Sequence, residues 1–191
     1  MTNSFNDNLI LKEALQIYFS RYHFENGGYD LNWFKIKIGA VFLPLPNIKA
    51  RVEAVKIHDI HHILTEYTAT LKGEAEIGAW ELASGCGKYW AAWLLNLGSF
   101  FYGLLFFPGA LWNAFIKGRH VNQNLYYNKC YDETLLNKKV GQLRHLVGTN
   151  IHKEAELLDY LAFATCTSII ILSFIFFATF FTLISWIIKA L

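Results

Sequence analysis

Along residues 8–22, NLILKEALQIYFSRY, apolar positions recur at intervals of three and four, which predicts an amphipathic helix. The next stretch, HFENGGYDLNWFKIKIGAVFLPLPN, loses that period to Gly, Pro and Asn. It reads as loop, with at most a short extended piece. Pro46 and Asn47 form a start signal, and a helix is expected from about Ile48 to Thr68. LKG then gives a turn, and EAEIGAWELASG a second helix closed by Gly85. Residues 132–147 and 152–159 also read as helical, polar on one side.

Two longer runs depart from any amphipathic pattern. Residues 160–188, YLAFATCTSIIILSFIFFATFFTLISWII, contain no charged residue. A spanning helix needs roughly 20 apolar residues, so this run suffices for one crossing with some tilt and not for two. Trp186 and Lys189 stand at its far end, where an interfacial aromatic and a snorkelling cation belong. The second run, between Lys88 and Lys117, is long enough to cross but is interrupted by Asn96, Gly98, Gly103, Pro108 and Gly109. Pro108 breaks or kinks a helix. A crossing there would also leave Lys and Arg in similar number on both sides and give no clear orientation. A full span, a helix lying in the interface and a broken helical pair lining a greasy pocket all remain open for this run.

The expected architecture is all-α: a helical domain over 1–154 with a hydrophobic helical pair, then a C-terminal transmembrane anchor over 155–191. Lys138, Lys139, Arg144 and Lys153 precede the anchor and place the domain on the cytoplasmic side of its membrane. The N-terminus has no basic segment followed by an apolar one, so neither a secretory signal nor a transit peptide is read there. A formal charge of +2 and the lack of a basic run argue against a nucleic-acid partner. Cys86, Cys130 and Cys166 form no CxxC pair, which fits a reducing compartment and disfavours a cysteine-built zinc site.

The chemistry concentrates in HDIHHILTEYTATLKGE, residues 58–74. With about 100° per helical residue and Val55 as zero, His62 falls near −20°, Asp59 near +40° and His58 near −60°. Three ligand-type side chains thus share one arc, whereas His61 falls outside it. Two histidines at i and i+4 are the spacing by which one helix chelates a divalent ion. Glu74 lies just past the turn, where an antiparallel helix would fold it back onto the histidine face. Imidazoles with carboxylates suit zinc, iron(II) or manganese better than calcium, and three protein ligands leave a position for water or substrate. Surface histidines on an ordinary helix are the plain alternative. Glu66, near +20° on the same scale, is a further candidate ligand or supporting group. Glu81 follows Glu74 by two turns and either orients a ligand or is solvated. The HD pair is also found in phosphohydrolases with ligands on separate helices, for which His23 and Asp132 are formal candidates. Trp80, Trp90 and Trp93 are expected to pack a core or sit at an interface rather than stack on a ring.

His58-Asp59-x-x-His62, eleven residues and then Glu74 resembles the HDxxH-x11-E signature of the coenzyme Q (ubiquinone) biosynthesis protein 4 family. Gly73 before the glutamate agrees, and NLYYNKCYDETLLNKKVGQLRHLVG is similar to a later segment of that family, so the resemblance covers roughly residues 46–150. It implies an all-helical fold, a bound metal, zinc by preference, and a channel for a polyprenylated ring. The implied activity is oxidative decarboxylation, a ring carboxyl replaced by hydroxyl. His58, Asp59, His62 and Glu74 are then the metal positions and the catalytic centre. Arg119, Asn124, Tyr126, Tyr127 and Arg144 are candidates to hold a polar head group. Expected partners are a polyprenylated aromatic lipid, the membrane, other quinone-biosynthesis enzymes and a second copy of the chain. Two further readings stay open: a non-catalytic prenyl-lipid-binding scaffold of a biosynthetic complex, and a metal-dependent lipid hydrolase.

Overall fold

The structure, a computed structural model, describes residues 4–38, 41–128, 130–151 and 153–190. It is all-α, with a long apolar C-terminal helix, and divides into two compact units, residues 1–153 and 154–191.

In the first unit, α1 (Leu11–Tyr22) buries Leu11, Ala14, Leu15 and Tyr18, the three-and-four stripe of the sequence. His23 ends it in the left-handed conformation. The stretch that follows is more ordered than the loop expected from its Gly and Pro content. A 3-10 turn at Glu25–Gly28 leads into β1 (Trp33–Ile38), which pairs antiparallel with β2 (Val41–Pro46), Trp33 opposite Pro46. Asn47 ties this segment down by donating to the carbonyls of Gly28 and Leu31.

Next come α2 (Lys49–Thr65) and α3 (Leu71–Ser84). The turn between them is earlier than the sequence implies. Glu66 takes a left-handed conformation (φ 63°) and closes α2, and the Thr70 hydroxyl caps α3 by accepting from the Gly73 amide. LKG is therefore the first turn of α3 rather than the linker. Gly73 is there because a side chain would collide with the Thr68 carbonyl.

The uncharged run after Lys88 forms two helices, α4 (Trp90–Phe106) and α5 (Pro108–Arg119), joined at Phe107. Proline at the first position of α5 is tolerated because that N–H has no helical partner. Both helices pack on α3. Residues 132–147, expected as one helix, form two: α7 (Glu133–Leu136), after a short α6 (Leu125–Asn128), and α8 (Val140–Val147). The break at Lys139 lets the chain bridge back to Ile10. The core joins Leu11, Leu15 and Tyr18 of α1 to Ile57, Ile60 and Ile63 of α2, Trp80 of α3, and Leu143 and Val147 of α8. Each such side chain contributes about 1.5–3 kcal/mol by leaving water.

In the second unit, α9 (Leu157–Ala190) is long and apolar enough to cross a membrane. Residues 153–156, expected as part of a polar helix, are not helical, and residue 152 lies outside the described residues.

Candidate metal centre

His58 and His62 stand one turn apart on α2, and Glu74 stands in the first turn of α3. The reversal at 66–70 brings the two elements together, so the three side chains meet. His58 Nε2 lies 3.1 Å from His62 Nε2. The Glu74 carboxylate faces both rings, Oε2 at 3.4 Å from His58 Nε2 and Oε1 at 3.3 Å from His62 Nε2.

The tautomers follow from the other ring nitrogens. His62 Nδ1 is 3.0 Å from the Tyr67 carbonyl, an acceptor only, so Nδ1 carries a proton. His58 Nδ1 is 3.1 Å from the Glu81 carboxylate and carries a proton for the same reason. When both rings are neutral, two Nε2 lone pairs point at one another across 3.1 Å. That arrangement is repulsive unless a positive charge lies between them, either a proton or a metal ion. Tetrahedral ligands at about 2.0–2.1 Å from a cation lie roughly 3.3–3.4 Å from one another. The observed spacings are close to this, and the residues present fit a divalent ion. The centre is open on one side: the Glu74 side chain is 40% exposed, whereas that of His62 is fully buried.

Glu81 supports the centre from beneath. It is fully buried, and four groups converge on it. Oε1 takes His58 Nδ1 and, at 2.7 Å, His61 Nδ1. Oε2 accepts from Asn96 Nδ2 at 2.6 Å and from the Tyr126 hydroxyl at 3.1 Å. His61 completes the set, because its Nε2 accepts the Leu125 amide at 3.2 Å, which fixes the proton on Nδ1. A buried carboxylate is costly unless its lone pairs are satisfied, and here they are. Carboxylate behind a ligating histidine orients the ring and raises its basicity.

Electrostatics follow from this packing. Burial alone would depress the His58 imidazole, but Glu81 and Glu74 outweigh it and hold its pKa well above the ordinary histidine value. Burial would likewise raise both glutamates; the facing histidines overcome it and hold Glu74 and Glu81 well below the carboxylate range. His61 goes the other way, lowered by burial against the pull of Glu81.

Not every expected residue reaches the centre. Asp59 lies next to His58 but outside the converging trio. Its Oδ2 accepts the Tyr29 hydroxyl at 2.6 Å, and burial raises its pKa to about 6 despite His58, that hydrogen bond and His62. Glu66 is not on the metal face at all, because the helix ends there; it accepts from Arg144 instead. Arg144 spends all five N–H groups within the fold. They go to the carbonyls of Leu64, Phe5 and Ile63 and to the carboxylates of Asp7 and Glu66. It clamps the end of α2, and no donor remains for a head group. Asn124 donates to Ser84 and to the Gly85 carbonyl, and accepts from the Tyr126 amide. Tyr126 belongs to the Glu81 network. Tyr127 is exposed, and Arg119 lies exposed in the last turn of α5. His23 and Asp132 serve as helix caps. Trp80 packs under His61, ring centroids 5.0 Å apart, while Trp90 and Trp93 are exposed.

An aromatic wall beside the centre has no counterpart in the motif. Tyr18 stacks on His62 at 5.5 Å, with Tyr22 and Phe24 behind it. Tyr29, which holds Asp59, meets Phe19 and Tyr131 edge-on. The signal available in the sequence was the aromatic density of residues 18–29, which periodicity assigned only to a helix face and a loop. A separate cleft of about 170 Å³ is lined by residues including Tyr67, Trp80, Lys117 and Arg144, and by none of the trio.

No protein-family model, curated protein or solved structure matches the chain.

Proposed function

We propose that this chain is a membrane-attached, metal-dependent enzyme of quinone biosynthesis that replaces a ring carboxyl by hydroxyl on a polyprenylated aromatic precursor. The observation that carries the metal reading is the pair of imidazole Nε2 atoms 3.1 Å apart, each with its Nδ1 proton committed elsewhere and both faced by Glu74. The choice of reaction and lipid rests on the resemblance of His58-Asp59-x-x-His62 and Glu74 to the coenzyme Q biosynthesis protein 4 signature.

His58, His62 and Glu74 would hold the ion, with zinc preferred and iron or manganese compatible with the same donors. When bound, a divalent ion supplies Lewis acidity toward a carboxylate oxygen. Glu81 keeps the His58 ring in its ligating orientation, and Tyr67 does the same for His62 through its carbonyl. Tyr18 is buried against His62, and the partly exposed Tyr22 and Phe24, stacked on one another beside it, offer the aromatic surface an approaching ring would meet on that side. Tyr29 holds the buried Asp59 beside His58, where a carboxyl whose pKa is raised to about 6 is suited to accept or return a proton. The exchange releases carbon dioxide. Its oxygen atom comes from dioxygen with two electrons from a reductant, or from water with a two-electron acceptor. α9 would keep the domain where such a lipid resides, with the domain on the cytoplasmic side.

Two measurements test the reading. Purified protein is expected to carry about one divalent ion per chain, lost when His58 and His62 are both changed to Ala. Full metal content in that double variant would overturn the site. Lipid extracts of a deletion strain are expected to accumulate a carboxylated ring precursor. If the double variant lacks metal yet restores quinone synthesis, the chain is a lipid-binding scaffold instead.

A further inference from the structure

Between Lys88 and Lys117 the chain has no charged residue, yet the two helices it forms are not buried all round. Their inner faces are accounted for. Ala91, Ala92, Phe100 and Gly103 of α4, with Leu111, Ala114 and Phe115 of α5, are buried. Asn96 is the buried polar side chain of α4, and it is committed to Glu81. The outer face is different. Trp90 and Leu94 are exposed, and at the joint Leu105 and Phe106 are 61% and 60% exposed. A helix facing water normally carries charge on that side.

Each helix is short for a crossing. α4 has 17 residues and α5 has 12, about 25 Å and 18 Å at 1.5 Å per residue, against a hydrocarbon core of roughly 30 Å. The pair also turns back. Phe100 meets Phe115, and a side chain at Gly103 would strike Leu111, so the helices run antiparallel about Phe107 and Pro108. Lys88 and Lys117 consequently both lie on the side away from the tip, Lys117 opposite the middle of the longer α4.

The order of residues along the hairpin is informative. Lys88, then Trp90 and Trp93, lead into α4; Leu104, Leu105, Phe106, Phe107 and Pro108 form the tip; and on the shorter return α5 places Trp112 and then Lys117 after it. Cation, indole, then hydrocarbon is the order met on entering a leaflet from its headgroups.

We propose that the α4–α5 hairpin inserts its tip into one leaflet of a lipid bilayer and returns, a membrane contact of the first unit's own and additional to α9. The contact is rigidly tied to the metal centre, because Asn96 on α4 donates to the carboxylate that holds His58. It does not depend on the reaction assigned to that centre, and its test reads lipid contact rather than activity.

The full chain is reconstituted into phosphatidylcholine–phosphatidylglycerol vesicles containing a phosphatidylcholine with a diazirine on its acyl chain. After irradiation, mass spectrometry is expected to find lipid adducts at residues 104–107 as well as within α9. Adducts confined to α9 overturn the proposal. A membrane-impermeant amine reagent is expected to modify Lys88 and Lys117 to the same extent, whereas complementary extents would mean a through-going span. In the double variant Leu105→Glu, Phe106→Glu, tip adducts should fall on the order of tenfold, with adducts in α9 and bound metal unchanged. Undiminished tip adducts in that variant would refute insertion.

Discussion

Glu81 satisfies two histidines with one oxygen, and this makes it the residue whose loss should be felt most at the metal without touching it. In Glu81→Gln the shape is kept, but the charge that draws the Nδ1 protons of His58 and His61 is gone. Metal affinity is expected to fall about 10–100-fold, the usual cost of removing such a partner, as read by competition with a chromophoric chelator. A second expectation concerns pH. The His58 pKa is raised in the folded, metal-free protein. Its protonated form therefore stabilises that state below about pH 6.5, the unfolded value, and the contribution is lost as pH rises through the higher folded value. The metal must displace that proton, so affinity should tighten by up to about tenfold per pH unit until the folded pKa is passed. A flat profile in the same chelator titration would contradict the assignment of His58 as a ligand. His58, His62 and Glu74 were legible in the sequence because a single helical repeat and one short turn determine where they point. Asp59 shares their arc in the sequence, but it is turned to Tyr29, a hydroxyl partner on a stretch with no helical period. Glu81 was visible only as one of two equal possibilities, because its four partners come from three other segments of the chain.

At the scale of elements, the end of α2 decides where Glu74 can reach. Arg144 on α8 holds the last carbonyls of α2, at Ile63 and Leu64, and the carboxylate of Glu66. These carbonyls have no partner within the helix, and the clamp fixes both the stop and the direction of the turn. Arg144→Met keeps the apolar stem but leaves the carbonyls of Phe5, Ile63 and Leu64 without their donor, while the solvent-reaching carboxylates of Asp7 and Glu66 are taken up by water. It is expected to cost about 1–3 kcal/mol of stability, seen as a lowered melting temperature by circular dichroism. Wild-type stability in that variant would mean the clamp is dispensable. Sequence spacing could not reveal this role: the arginine is some eighty positions from its partners, and a guanidinium in a motif reads equally well as a ligand for a substrate. The strands β1 and β2 were hidden for a related reason. Pairing across a Gly- and Pro-rich segment is stabilised by what it packs against, here Arg51 over the Phe34 ring at 3.6 Å. Asn96, counted in the sequence as an interruption of an apolar run, is an interior group with a defined acceptor.

For the whole molecule, the all-α class and the C-terminal helix were the most legible features, because period and length are properties of the chain alone. What joins the helices was not, and the joint with the widest reach is the one between Leu125 and His61. The main-chain amide of a four-residue helix donates to the ring that shares an oxygen of Glu81 with His58. With an ion held as proposed, its occupancy and the seating of residues 124–126 would be linked equilibria, each changing the other by the same factor. Stripping the ion with a chelator should hasten deuterium uptake at Leu125, and a ligand that pries this segment loose should weaken the hold on the ion in equal measure.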